Sequence, residues 1–313
     1  MTVRKRLWTY ALLTLLFTLI YLSVYGKRTM EVSDEVVYNY PSLPAESQNI
    51  PICNTRGLAI NARSALIVDN SNDAWIYAKH PIKVRPIASI TKLLTAMVYL
   101  DLDPNLDTVI YISNRDCYNS AKSHIYKGEA YKARDLLMAA LMASDNRAAR
   151  AIATASGLAR LRFIEKMNEK ARELGMMDTQ VFEVTGLDER NVSTAADVAL
   201  LIREANKYPM IKKASSTYTY RCQLQNKKRT KRFINTNRLV RSKWEVAVGK
   251  TGFIMESDYC IATILRDKSG KEITLVVLGS PTNSVRFSVA RKMAFFGFKR
   301  AESLNNGTQI AGR

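Results

Sequence analysis

Ser89 and Lys92 stand three positions apart, just ahead of the helix-spaced apolar run Leu93, Leu94, Ala96 and Met97. Positions i and i+3 share one face of a helix, so the lysine amine can lie beside the serine hydroxyl. A serine hydroxyl is a weak nucleophile until a base takes its proton. Lysine serves as that base when neutral, a form favoured by burial and by a second cation nearby. Lys250 is a candidate for that cation. Taken alone the spacing is common, and its plain reading is a capping serine and a solvated lysine.

Ser144 and Asn146 close the apolar stretch LLMAALMASDN, where a helix can stop and present polar groups to a cleft. A hydroxyl there can relay a proton to a leaving amine, and an amide can hold both a lysine and a substrate carbonyl. Asp145 between them reads as ordinary helix-end chemistry. Lys250, Thr251 and Gly252 lie in the strand-like run VAVGKTGF. A charge and a hydroxyl side by side suit a carboxylate. Gly252 clears space where a substrate backbone can pair with the strand edge. A phosphate loop is excluded, because no glycine precedes Lys250 at the spacing that motif needs.

The elements that must carry these residues follow from periodicity. Ala65–Val68 and Trp75–Tyr77 flank the turn-rich stretch from Asp69 to Asp73, which predicts a hairpin. From Ser89 to about Tyr208 the pattern is helical: Leu136, Leu137, Ala140 and Leu141 recur at helix spacing, as do Leu161, Ile164 and Met167. Thr194 with Asp197 predicts a helix start, and Pro209 is expected to close that segment. YTYRCQL, VAVGKTGF, YCIATILRD and EITLVVLGS read as successive strands, the last two joined at Ser269-Gly270. SVRFSVARKMAFFGF returns to helix, and a loose polar tail is expected after Lys299. The fold class expected is α/β: an antiparallel sheet packed with helices, plus a helical lobe that leaves a cleft.

The front of the chain differs. Arg4, Lys5 and Arg6 precede 19 uncharged residues, Leu7 to Tyr25. As a helix these span roughly 28 Å, about a bilayer core. The basic flank predicts a cytoplasmic N-terminus and an exported body. An uncleaved anchor is favoured over a cleaved signal peptide, since no A-x-A cleavage site occurs. The expected organisation is an anchor or signal over 1–26, a linker over 27–62 that holds three of eight prolines, a catalytic domain over 63–300, and a tail over 301–313. The body is expected in the periplasm, held to the inner membrane.

The net charge of +19 calls for an anionic partner. Residues 1–26 hold three basic residues and no acid, so the exported part keeps +16. Export makes nucleic acid an unlikely target and favours lipid headgroups or anionic wall polymers. The basic run Lys227–Arg232 reads as a solvated hairpin tip, with contact to such a surface as its functional alternative. An oxidising compartment permits disulfides among Cys53, Cys117, Cys222 and Cys260, with pairing open, although Cys260 sits in an apolar stretch that suits a buried thiol. Two widely separated histidines, His80 and His124, lower the prospects of a Ser-His-Asp triad or a His-rich metal site.

Ser89-x-x-Lys92, Ser144-x-Asn146 and Lys250-Thr251-Gly252 occur in that order, which together is a specific signature. The chain resembles the low-molecular-weight penicillin-binding proteins, the serine D-alanyl-D-alanine peptidases, over about Ala62 to Phe298. PIASITKLLTAMV, LLMAALMASDNRAA and VGKTGF followed by YCIAT carry the likeness, with INTNRL outside the site. VTGLDERNVSTAADVALL is closest to the endopeptidase branch, the penicillin-binding protein 7 type. The resemblance implies a β-lactamase/transpeptidase-like fold. It implies Ser89 as acyl-ester nucleophile, Lys92 as general base and Ser144 as proton shuttle. Asn146, Lys250, Thr251 and Gly252 would bind substrate, and the N–H groups of Ser89 and Phe253 would form the oxyanion hole. It implies peptidoglycan peptides as substrate, β-lactams as covalent inhibitors, and no metal or cofactor. The alternatives are a class A-like β-lactamase, disfavoured because no E-x-x-L-N stretch lies between Asn146 and Lys250 and Glu183 and Glu189 fall in VFEVTGLDERN, and a non-catalytic wall-binding protein with a relic site.

Overall fold

The structure is a computed structural model that describes residues 58–118, 120 and 123–310, with side chains as far as residue 301. The expected membrane segment, most of the linker and Cys53 lie outside the described residues. No helix among the described residues is long and apolar enough to cross a membrane.

The chain opens with strands β1 (Ser64–Asp69), β2 (Trp75–Lys79) and β3 (Arg85–Pro86). A 3-10 turn (Ala88–Thr91) leads into helix α1 (Lys92–Asp101). Then come β4 (Val109–Tyr111), α2 (Asn114–Cys117), β5 (Ala130–Lys132), α3 (Ala133–Met142), α4 (Asn146–Ala155) and α5 (Arg160–Glu173). They are followed by β6 (Val192–Ser193), α6 (Ala195–Ala205), α7 (Pro209–Ser216), β7 (Thr219–Gln223) and β8 (Thr230–Ile234). Strands β9 (Glu245–Ile254), β10 (Asp258–Arg266) and β11 (Glu272–Ser280) precede α8 (Asn283–Ile310).

Five strands form one antiparallel sheet in the order β2-β1-β11-β10-β9. Successive side chains of a strand point to opposite faces, and here both faces are covered. In β11, Ile273, Leu275 and Val277 join Ile67 of β1 and Phe287, Ala290 and Met293 of α8 in one core. The alternate residues Val276 and Leu278 join Leu66 with Val198, Leu201 and Ile202 of α6 in the other. This double burial explains why EITLVVLGS carries almost no polar alternation. Helix α3 is apolar nearly all round because it runs through the helical part of the core, buried from Asp135 to Met142.

The predicted hairpin and the three strands β9–β11 are present where the sequence places them. Other expectations need correction. YTYRCQL forms β7, which pairs only with β8 in a separate hairpin. The helical stretch is interrupted by the short strands β4, β5 and β6. Helix α5 turns Phe163, Met167 and Ala171 inward, and Leu161 is exposed. Thr194 caps α6 as expected, accepting from Asp197 N. Pro209 opens α7 instead of closing α6, because a first-turn proline has no N–H to lose. Helix α8 continues to Ile310 through the stretch read as a loose tail.

The basic run is not a uniformly solvated tip. Lys231 lies within β8, is 6% exposed, and pairs with the buried Glu129 at 2.7 Å while donating to His124 O. Cys117, Cys222 and Cys260 are free thiols. Burial pushes Cys222 up to about 12 and Cys260 up to about 11, so neither forms a reactive thiolate at neutral pH.

Candidate active site

Three elements converge on Ser89. The 3-10 turn begins with Ala88 in a left-handed conformation (φ 48°) and brings Ser89 to the start of α1. Thr91 Oγ1 braces that turn by donating to Ala88 O at 2.8 Å. Lys92 is 1% exposed, and its Nζ lies 2.8 Å from Ser89 Oγ, 2.7 Å from Asn146 Oδ1 and 2.6 Å from Thr185 O.

The protonation state of Lys92 decides what these contacts do. Burial pushes Lys92 down to about 7, against the pull of Glu183 and Asp145 and with help from Arg150. A neutral amine has two N–H groups and one lone pair. Asn146 Oδ1 and Thr185 O accept only, so they take the two N–H groups and leave the lone pair facing Ser89. The other oxygen near Ser89 Oγ, Thr185 O, is at 3.5 Å, too long for a good O–H···O bond. The serine proton is thus aimed at the lysine. Arg150, one turn along α4, disfavours the charged form of Lys92, and Lys92 and Lys250 repel each other as the sequence indicates. Burial first, then Lys92 and Arg286, drive Lys250 itself well below its ordinary range.

Helix α3 stops at Met142, and Ser144 takes a left-handed conformation (φ 59°). That turn faces Ser144 toward β9, where its Oγ accepts from Lys250 Nζ at 2.8 Å. Its own O–H is not used in that bond. Asp145 is the N-cap of α4, accepting from Arg147 N and Ala148 N at 2.9 and 3.1 Å, which is the helix-end role expected of it. Asn146 opens α4 and reaches Lys92.

Strand β9 is an edge strand that carries Lys250, Thr251, Gly252 and Phe253. Thr251 Oγ1 shares a 2.6 Å hydrogen bond with Thr236 Oγ1, which ties INTNRL to the site. Gly252 serves a neighbour different from the one expected. A Cβ there would sit 2.7 Å from Ile87 O and 3.2 Å from Ser89 N, so its bare backbone lets β9 press against the nucleophile turn. The same approach brings the edge of β9 beside Ser89 N, the first of the two expected oxyanion donors. Phe253 is half-exposed and stacks on Tyr259 at 4.2 Å.

Two charged residues assigned no role from the sequence support this assembly. Arg286 of α8 is buried and donates from Nη1 to Gly252 O and Cys260 O, both at 3.0 Å, fastening β9 to β10 beside the site. Its position among the apolar residues of SVRFSVARKMAFF was the available signal. Burial lowers it to about 10. Glu183 is 9% exposed and accepts from Thr185 N, Thr185 Oγ1, Gly186 N and Leu187 N, with Asn191 Nδ2 as a fifth donor. Its carboxylate thereby shapes the loop whose Thr185 carbonyl holds Lys92. Both oxygens are fully occupied, so Glu183 is not available to activate water as the β-lactamase reading requires.

Replacing Glu183 by glutamine puts an amide NH2 among backbone donors and removes a negative charge near Lys92. Stability is expected to fall by about 1–3 kcal/mol. The pKa of Lys92 should fall further, so the acid limb of the acylation rate should move to lower pH. Thermal unfolding and a pH profile of penicillin acylation check both; a limb that stays in place sinks the electrostatic link.

Residues 51–282 match the protein family described as D-alanyl-D-alanine carboxypeptidase. The D-alanyl-D-alanine endopeptidase of Escherichia coli (strain K12) is 37% identical over 239 residues, covering 75% of this chain and 76% of its own length. That of Pseudomonas aeruginosa is also 37% identical, over 234 residues, covering 74% and 75%. Among solved structures, the Streptomyces K15 DD-transpeptidase superposes with a TM-score of 0.73 at 28% identity, covering 77% of this chain and 98% of that one.

Proposed function

The chain belongs to the D-alanyl-D-alanine carboxypeptidase family, and from that premise we propose how its buried site works. It is a serine DD-peptidase that hydrolyses D-alanyl bonds of peptidoglycan. Ser89 Oγ attacks the scissile carbonyl as Lys92 takes its proton. The oxyanion forms against the N–H groups of Ser89 and Phe253, where one such donor contributes about 3 kcal/mol. Ser144, held by Lys250, passes a proton to the leaving amine and regains one from Lys92, which returns to its neutral form. Water then attacks the acyl-enzyme, with Lys92 again as base. Lys250 and Thr251 receive a substrate carboxylate, whose charge favours the protonated form of Lys250 that burial disfavours.

The observation that carries this reading is the Lys92–Ser89 contact at 2.8 Å, with the other two contacts of the amine made to oxygens that only accept. The names of the 37% identical relatives support cleavage of cross-links in preference to terminal D-alanine. The run Leu7–Tyr25 behind Arg4–Arg6 supports a periplasmic body retained at the inner membrane. The N-terminal sequence of the mature protein tests that retention.

Intact-mass spectrometry after incubation with penicillin tests the chemistry, with Ser89→Ala as control. A persistent adduct on the native protein, absent from the variant, is expected. Rapid loss of the adduct with hydrolysed drug assigns a β-lactamase instead. No adduct and no peptide cleavage would leave a relic site. Cross-linked peptide dimers should be cut faster than pentapeptide monomers; the reverse order assigns a carboxypeptidase.

A further inference from the structure

Strands β7 and β8 pair only with each other, and their two faces differ sharply. Successive residues of a strand alternate between faces. The inner face carries Cys222, Lys231 and Phe233, all buried. The outer face carries Arg221, Gln223, Thr230, Arg232 and Ile234, all exposed. Arg221 stands directly opposite Arg232 in the register. Like charges so placed destabilise a hairpin, so folding alone does not account for the pair. Lys227, Lys228 and Arg229 continue the exposed charge around the turn. At the other end of the ribbon, Arg241 lies over the exposed ring of Tyr218, 5.1 Å from its centre. None of these six cations forms an ion pair among the described residues. Lys231 does have a carboxylate, and it is the cation of the run that turns inward.

The ribbon leads to the catalytic strand. From Thr230 to Ile234, β8 advances about 13 Å. Two residues further on, Thr236 donates its N–H to Met142 O at 2.8 Å and shares the 2.6 Å hydroxyl bond with Thr251. The row of charge therefore starts at the hairpin turn and ends beside the strand that carries Lys250 and Thr251. The outer face of the two strands holds no aromatic side chain, whereas a bilayer interface favours aromatic anchors. Arginine pairs with carboxylates through two parallel hydrogen bonds, and a row of cations of one sign draws in a polyanion.

We infer that the outer face of the β7–β8 hairpin is an exosite for an extended, carboxylate-bearing strand of the wall polymer, gripped by its repeated charges and not by the bond that is cut. The inference rests on the DD-peptidase reading, which supplies a polymeric substrate. The exosite makes cleavage within the polymer faster than cleavage of the same bond in a short peptide.

The test uses the full chain with purified wall sacculi, the same sacculi with their carboxylates amidated, and a soluble cross-linked peptide dimer. One variant combines Arg221→Gln, Arg229→Gln and Arg232→Gln. A second, confined to the turn, combines Lys227→Glu and Lys228→Glu. Native protein should pellet with sacculi at low salt and lose most of that binding on amidation or at high salt. Each variant should bind sacculi about tenfold more weakly and cut them correspondingly more slowly. Penicillin labelling and cleavage of the soluble dimer should be unchanged. The Tm of the first variant should hold or rise, since the opposed arginines are gone. Equal sacculus binding by native protein and both variants overturns the exosite, and so does equal binding of native protein to amidated and untreated sacculi. A parallel fall in dimer cleavage also overturns it and makes the hairpin part of the catalytic frame. Variants that lose binding to anionic phospholipid vesicles but keep sacculus binding give the face to a membrane instead. No labelling and no dimer cleavage in native protein remove the peptidase reading, while the sacculus-binding comparison still decides the surface.

Discussion

Lys92→Met is expected to slow acylation by penicillin about 10²- to 10⁴-fold, the usual contribution of a positioned general base. Methionine fills a similar volume, so the packing around the buried stem survives and the loss reports chemistry. The pH dependence gives the sign. Lys92 is pushed down to about 7 by burial, and only its neutral form has a lone pair for the Ser89 proton. The native rate should climb tenfold per pH unit below about 7 and level off above it. In the variant this limb should vanish. Stopped-flow acylation across pH 5 to 9 measures both. A variant that keeps the limb at reduced amplitude would assign the base to another group.

Gly186→Ala should be almost as damaging, although residue 186 is given no chemical role. Gly186 has φ +81°, where an alanine is strained by about 1–2 kcal/mol. Its added Cβ would also overlap the carbonyl of Ala88 and come within 2.8 Å of Ser89 N. Those are backbone atoms of the nucleophile turn, so no side chain can swing aside. Overpacking of this kind costs about 1–3 kcal/mol. Together these predict a loss of roughly 3 kcal/mol, or roughly 10 °C in Tm for a domain of this size. Acylation should fall more than the stability loss explains, since the turn that must yield carries Ser89 itself. Thermal unfolding and acylation of the still-folded fraction separate the two. An unchanged rate in that fraction would show that the loop and the nucleophile turn move independently.

The catalytic groups were legible because each depends on residue type at short spacing. Ser89 and Lys92 meet through one helical turn, and Ser144 and Asn146 flank a helix break that their own chemistry favours. The sheet was legible through its bounded apolar runs. What escaped is what depends on partners far along the chain. By type, Arg286 and Lys231 are surface residues, and each is buried by a partner that sequence order does not reveal. Gly252 reads as room for substrate until the fold shows Ile87 against it. The inward stripe of α5 was misread because Leu161 and Phe163 are equally apolar, and only tertiary packing chooses between them.

The pairing of β1 with β11, together with the grip of Arg286 on Gly252 and Cys260, has a consequence for how the enzyme is made. A chain that emerges N-terminus first exposes Ser89 and Lys92 early, yet Ser64 must wait for Leu278 before the sheet can close. Contacts of such long range form late because the intervening chain has to be ordered first. Until Arg286 has left the ribosome, the strand that carries Lys250 has no anchor at its back. Timing therefore guards the nascent protein: the nucleophile is made early and armed last.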